Sequence, residues 1–291
     1  MAGRLYAGLI VVAVALLASA APAAAQEAGI CTKWNDHLKP QSGPYNLGND
    51  RDSVIGTDKA DRIFGEGGND LINGGRGNDH VDGGEGDDTL CGGRGNDELD
   101  GGPGHDVIFG EEENDLIIPG PDNDRVLGSE GDDKILGYGG KPGSIIDDGI
   151  DILDGGFNDD IVIAGGADTV LGGTHNDKLS TKTPDVAPKV IDGGGNDDKI
   201  TGSNKNDNLK GGENGKDVLK GKDGNDRMDG GSNNDDLFGE DGDDTLDGGD
   251  GKDTLDGGSG KDTCIGGPLV DRGRSCEKER SIPRVVPRFG F

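Results

Sequence analysis

From about Gly56 onward the chain repeats itself every nine residues, and no other feature restricts its fold as strongly. In register, early units read GEGGNDLIN from Gly65, GGRGNDHVD from Gly74, GGEGDDTLC from Gly83, GGRGNDELD from Gly92 and GGPGHDVIF from Gly101. Late units read GEDGDDTLD from Gly239, GGDGKDTLD from Gly248 and GGSGKDTCI from Gly257. Roughly twenty units align this way, and a short period sustained so long marks a solenoid, in which each unit contacts only its neighbours. Glycine at the first, second and fourth positions permits positive φ and close backbone approach, so six residues can close a tight turn with inward carbonyls. The last three residues form a short strand whose alternation turns only the middle side chain inward.

That eighth position is held by Ile63, Ile72, Val81, Leu90, Leu99, Ile108, Ile117, Val126, Ile135, Val162, Leu179, Ile200, Leu209, Met228, Leu237, Leu246 and Leu255. The sixth position is held by Asp61, Asp70, Asp79, Asp88, Asp97, Asp106, Asp115, Asp124, Asp133, Asp160, Asp177, Asp198, Asp207, Asp226, Asp235, Asp244, Asp253 and Asp262. Each carboxylate joins turn carbonyls such as those of Gly65, Gly67, Gly74, Gly83, Gly92, Gly101, Gly239, Gly248 and Gly257. Hard oxygen donors of this kind suit Ca²⁺, which takes six to eight of them at about 2.3–2.6 Å.

Composition explains why a metal would be needed. Glycine occurs 59 times in 291 residues, apolar residues make up 30% and aromatic ones 3%, so no large mixed core can form. One buried aliphatic side chain per nine residues does not offset the entropy of ordering them. A ligand that binds only the folded state supplies the difference by mass action. Asp and Glu number 58 against 29 Lys and Arg, a formal charge of −29. About fifteen divalent ions would neutralise it. The same charge opposes a compact metal-free state and argues against nucleic acid, whose binders need a basic footprint. The expectation is an expanded metal-free chain and a compact rod with calcium. A merely solvated acidic linker would not keep Gly, Asp and an aliphatic residue in phase over so many units. With so many equivalent Asp neighbours, no carboxylate pair stands out as catalytic.

These units resemble the repeats-in-toxin (RTX, hemolysin-type) calcium-binding family, whose nonapeptide GGxGxDxUx they match almost letter for letter. The resemblance implies an all-β fold, a right-handed parallel β-roll (β-solenoid) with short N- and C-terminal caps. It also implies turns on both edges, with a calcium ion between neighbouring turns of one edge. Two units then make one coil, so Asp70 would pair with Asp88, Asp79 with Asp97, and Asp244 with Asp262. Many members of that family carry a separate toxin, protease or lipase domain, for which this chain lacks room, and their export usually relies on a C-terminal signal.

The flanks and irregularities divide the chain further. Arg4, an apolar run from about Leu9 to Leu17 and the small residues Ala23-Ala24-Ala25 read as a secretory signal over 1–25, so the mature chain would be extracellular with no transmembrane segment. Residues 26–55 form an N-terminal cap segment, in which Trp34, Leu38, Tyr45, Leu47, Val54 and Ile55 could cover the first coil, with a small-ligand site around Trp34 as the sharper alternative. Regular repeats occupy 56–136 and 193–274, irregular ones 137–192, and a basic tail 275–291. In the irregular stretch, GYGGKPGSI and IDDGIDILD keep the unit length but lose turn glycines, a residue is missing around Ala164, and TKTPDVAPKVID is inserted after Ser180. A one-residue insertion distorts GGENGKDVLK from Gly211. Calcium sites near Asp151, Asp168 and Asp217 therefore fall outside the regular series. Four cysteines suit an oxidising compartment, and Cys31–Cys91 with Cys264–Cys276 is the expected pairing. His80 and His105 occupy variable positions and read as exposed.

The function expected from the residues is non-enzymatic: an exported calcium-binding roll with a structural or adhesive role, whose partners are calcium ions, with cell-surface or matrix polymers as further candidates. The alternative is an enzyme or carbohydrate-processing accessory module with its site in residues 137–192.

Overall fold

A computed structural model describes residues 44–137, 149–182, 189–267, 272–276 and 278–281. The expectations for the signal segment, Cys31, Trp34, Leu38 and residues 282–291 lie outside this range. Within it the chain forms strands joined by turns and bends, and successive strands alternate between two thirteen-stranded parallel sheets. One sheet stacks Ile63, Val81, Leu99 and Ile117 rung on rung. The other stacks Val54, Ile72, Leu90 and Ile108. Partners are two nonapeptides apart, so each coil of this parallel β-roll consumes two units, one per sheet and one turn per edge.

The three-residue strands bury only their middle side chain, as the period-two alternation of a strand dictates. Ile63, Ile72, Val81, Leu90, Leu99 and Ile108 are all 0% exposed. These residues run as two rows down the roll and meet in one continuous core. The rows also contain Leu153, Val170, Ile191 and Leu219, all 0% exposed, from units whose turn sequences are degraded. The roll already begins ahead of Gly56: Tyr45 pairs with Ile63 and Val54 with Ile72, and both are buried in inward positions. At the other end, Arg272–Arg274 and Lys278–Ser281 add a final rung to each sheet.

The irregular middle keeps the register of the sheets while changing coil length. Val126 pairs directly with Leu153 and Ile135 with Val162, so this coil is a whole unit longer than its neighbours. Of GYGGKPGSI, read as one more unit in the series, only Gly137 lies among the described residues. The described strands on either side, Lys134–Gly137 and Ile152–Phe157, still fall in opposite sheets. The next coil is one residue short, with Leu153 opposite Val170 and Val162 opposite Leu179. The expected insertion after Ser180 is shorter than its sequence suggested, because Val190 and Ile191 lie in a rung opposite Thr169 and Val170. The extra residue after Gly211 appears as a register shift between Gly194 and Gly195 against Gly212 and Asn214.

The disulfide Cys264–Cys276 spans 5.8 Å between Cα atoms and ties the last inward position to the closing segment. Cys91 is also disulfide-bonded. It faces away from the core, in a separate apolar cluster with Phe109.

Candidate metal sites along the two edges

Each edge of the roll carries a row of aspartates, one per coil, at the junction of turn and strand. A complete account of the polar groups of Asp70 shows what the row leaves over. Its backbone N–H donates to Oδ1 of Asp88 at 2.7 Å, and its own Oδ1 accepts from the N–H of Asp52 at 2.8 Å. Its carbonyl accepts from the N–H of Thr89 at 2.8 Å, which starts the next strand of the same sheet. The second carboxylate oxygen, Oδ2, is buried and accepts no hydrogen bond. The same arrangement recurs at Asp79, Asp88, Asp97, Asp106, Asp115, Asp133 and Asp160, and again at Asp198, Asp217, Asp226, Asp235 and Asp244. Asp262 at the end of its row likewise holds a buried Oδ2 with no hydrogen bond. A buried carboxylate oxygen without a donor costs several kcal/mol unless a cation or proton meets it, roughly 1–3 for a neutral polar group and more for a charged one.

The glycine at the first position of each turn keeps the space in front of that oxygen open. A Cβ built on Gly83 would stand 2.4 Å from Oδ2 of Asp88 and 2.7 Å from the carbonyl oxygen of Gly101 in the next coil. Gly65, Gly74, Gly92, Gly101, Gly239, Gly248 and Gly257 each face the Oδ2 of their own turn's aspartate in the same way. Carboxylate and carbonyl oxygens thus converge on a space that one methyl group would fill. Gly67, grouped with them on sequence, sits at the third position. A Cβ there would meet nothing nearer than 3.5 Å, so its glycine is not demanded by this cradle. Positive φ falls instead at the second and fourth positions, and Glu66, Glu111 and Ser129 adopt it there without being glycine.

Burial pushes these carboxyls upward. Asp106, Asp115, Asp160 and Asp198 rise to about 8. Asp97, Asp133, Asp177, Asp226 and Asp235 rise to about 7. Asp79, Asp88, Asp217 and Asp244 rise to about 6. The backbone N–H on Oδ1 opposes the shift, and for most of them an acidic neighbour, often one coil away, adds to it. Carboxyls raised in this way are poised to take a cation in place of a proton.

The rows contain residues that the degraded turn sequences hid. Asp124 donates its N–H to Oδ1 of Asp151, Asp151 to Asp168, and Asp198 to Asp217. All three acceptors are buried and in line with the regular series, so their exclusion from it does not hold. The strand partner defines the sixth position, and the strands stay in register when a turn loses glycines or changes length. Asp70 and Asp88, Asp79 and Asp97, and Asp244 and Asp262 are linked across one coil as expected. Asp61, Asp168 and Asp207 differ from the rest: Oδ2 of Asp61 accepts from the N–H of Thr57, Oδ2 of Asp168 from the N–H of Gly165, and Oδ2 of Asp207 from the N–H of Ser203.

A second ladder lies beside the first and was not foreseen. The fifth-position side chain accepts the backbone N–H of the fifth residue one coil on, as from Asp87 to Asn69, His105 to Asp87 and Asn123 to Nδ1 of His105. The preference for Asn and Asp at this position is the signal that could have revealed it. His105, exposed as expected, thus serves as an acceptor in the turn. Elsewhere His80 and Glu98 lie 3.3 Å apart.

Among the described residues no three His, Cys, Asp or Glu side chains cluster. Each site therefore offers backbone carbonyls and one or two carboxylates, the hard oxygen set that fits calcium and not the nitrogen and sulfur set that fits zinc. The model of the RTX calcium-binding nonapeptide repeat matches residues 47–81, 82–117, 118–141, 145–179, 192–214, 212–246 and 238–269. The chain belongs to this RTX repeat family. Its calcium-binding repeats are the ones whose turns build both rows, and the matched segments run through the irregular middle as well as the regular blocks. No curated protein matches the RTX chain.

Proposed function

We propose that this protein is an exported, non-enzymatic calcium-loaded roll that acts outside the cell as a structural or adhesive element. The observation that carries the reading is the repeated Oδ2 that is buried, without a hydrogen bond, and aimed with a neighbouring carbonyl into a glycine-lined space. In this reading the sixth-position aspartates from Asp70 to Asp262 hold the ions, together with first-position carbonyls such as those of Gly83 and Gly101. Calcium supplies two positive charges per site, which offsets the repulsion along each row and adds to the narrow hydrophobic core. Because extracellular modules bind calcium at about 10⁻⁴–10⁻³ M, the chain would stay unfolded until exported and fold on arrival. The N-terminal apolar run with its small-residue ending supports export.

Calcium titration of the mature chain, followed by circular dichroism and by native mass spectrometry, tests the reading. Parallel-sheet signal that grows as several ions load is the expected result. A folded spectrum that EDTA leaves unchanged, or a chain that takes up no calcium at millimolar concentration, would overturn it.

A further inference from the structure

Among the described residues, one position in the rows from Asp61 to Asp262 is not an aspartate. On the edge that runs through Asp124, Asp151 and Asp168, the next residue in line is Lys189, followed by Asp207 and Asp226. The register proves the alignment: Val190 pairs with Thr169, and Asn208 with Val190, so Lys189 stands immediately before its strand as every aspartate does. Its backbone behaves as theirs do, donating its N–H to Oδ1 of Asp207 at 2.7 Å and accepting the N–H of Asn208 at 2.9 Å.

The side chain is 2% exposed, although lysine is almost never fully buried without a partner. Its ammonium donates to the carbonyl oxygen of Gly165, in the turn of the preceding coil. A turn carbonyl facing the gap between coils is the kind of oxygen that elsewhere shares its space with an aspartate Oδ2. The two aspartates that flank Lys189 are altered to match. Asp168 accepts the N–H of Gly165 on Oδ2 at 2.8 Å. Asp207 accepts Ser203, itself 0% exposed, from its N–H on Oδ2 and from its hydroxyl on Oδ1. Thus the Oδ2 atoms of the aspartates on either side of Lys189 meet protein donors, and Lys189 stands between these two aspartates in the row.

We propose that the Lys189 ammonium is a tethered cation that replaces calcium at this point of the row. It divides one edge into a segment ending at Asp168 and a segment beginning at Asp207, while the opposite edge continues from Asp61 to Asp253. The joint holds its two coils together at any calcium concentration, so the binding sites on this edge fill as two separate groups. This inference rests on the reading that the other turns bind calcium.

The test is an anomalous difference map from crystals of the full mature chain grown in calcium, which needs no variant. Peaks between regular turns on both edges, and none between the turns of Asp168 and Asp207, are expected. A peak beside Lys189 overturns the proposal while leaving the calcium reading intact, and a map without peaks overturns both. In calcium, Lys189→Met should speed hydrogen exchange in Thr169–Thr174 and Val190–Gly195 about tenfold or more, the loss of a hydrogen bond to a buried charge. Lys199→Met, at an exposed position, serves as the control. Equal exchange in the two variants would show that the ammonium contributes nothing and refute the assignment.

Discussion

Asp115 offers the sharpest separation between an aspartate that holds the fold by hydrogen bonds and one that holds a cation. Its Oδ1 accepts the N–H of Asp97 at 2.8 Å, its N–H donates to Asp133 at 2.8 Å, and its carbonyl accepts from Lys134 at 2.8 Å. Asp115→Asn keeps an oxygen at Oδ1 and all three bonds, but it replaces the charged Oδ2 with a neutral amide beside the carbonyl of Gly128. A calcium site working at about a hundred times its dissociation constant stabilises the fold by about 2.7 kcal/mol, and the variant forfeits that contribution. For a chain of this size a loss of about 2.7 kcal/mol lowers the melting temperature by about 5–10 °C. Without calcium the sign reverses, because the substitution removes a buried charge whose carboxyl is pushed up to about 8 mainly by its burial. Thermal melts in about 10 mM calcium, paired with β-sheet signal in EDTA at pH 8, measure both halves. A fall with calcium and an equal or larger signal in EDTA are expected. A fall under both conditions would mean that Asp115 acts through its hydrogen bonds alone.

Three further outcomes follow from the same geometry. Gly83→Ala should abolish its site and destabilise the calcium form by several kcal/mol on the scale of overpacking strain, since its Cβ would press on Asp88 and the Gly101 carbonyl, whereas Gly67→Ala should melt within about 1 kcal/mol of the parent. The buried carboxyls rise from 3.8 to about 6–8 in the fold, so the metal-free fold binds more protons than the coil; its stability is greatest below about 4 and is lost as pH rises through 6–8. Circular dichroism in EDTA should therefore show structure increasing from pH 8 to 5, while the calcium affinity of the folded chain, read by titration, weakens over the same range as protons compete for the carboxylates. Cys264→Ser opens a disulfide spanning 12 residues and should cost about 3 kcal/mol, read as a lower melting temperature with hydrogen exchange rising first in Thr263–Gly266.

Much of this molecule was legible because a solenoid writes each structural position many times. The inward rows and the sixth-position aspartates follow from residues repeated in phase, and the two-unit coil from the family resemblance that those residues carry. What escaped lies where one copy departs from the others. Turn glycines are missing before Asp151, a residue is missing before Asp168 and one is inserted before Asp217, yet the strands Ile152–Phe157, Thr169–Thr174 and Val218–Asp223 kept register through their buried Leu153, Val170 and Leu219. Pairing between strands is a non-local property, and a turn motif does not report it. Lys189 was concealed more deeply, inside a segment that reads as an insertion, and only the partners of Val190 and Ile191 place it in the row. The opening strands were similarly masked, because Tyr45 and Val54 precede the first recognisable turn and look like the covering of a coil they in fact begin.

Small-angle scattering of the mature chain tests the dependence of the fold on calcium most directly. Thirteen rungs at a spacing of about 4.8 Å make a rod about 60 Å long, with a radius of gyration of about 20 Å, whereas an unfolded chain of this length has about 55 Å. The larger value in EDTA and the smaller one in millimolar calcium, interconverting reversibly, are predicted. A radius near 20 Å that persists after complete removal of metal would contradict the account.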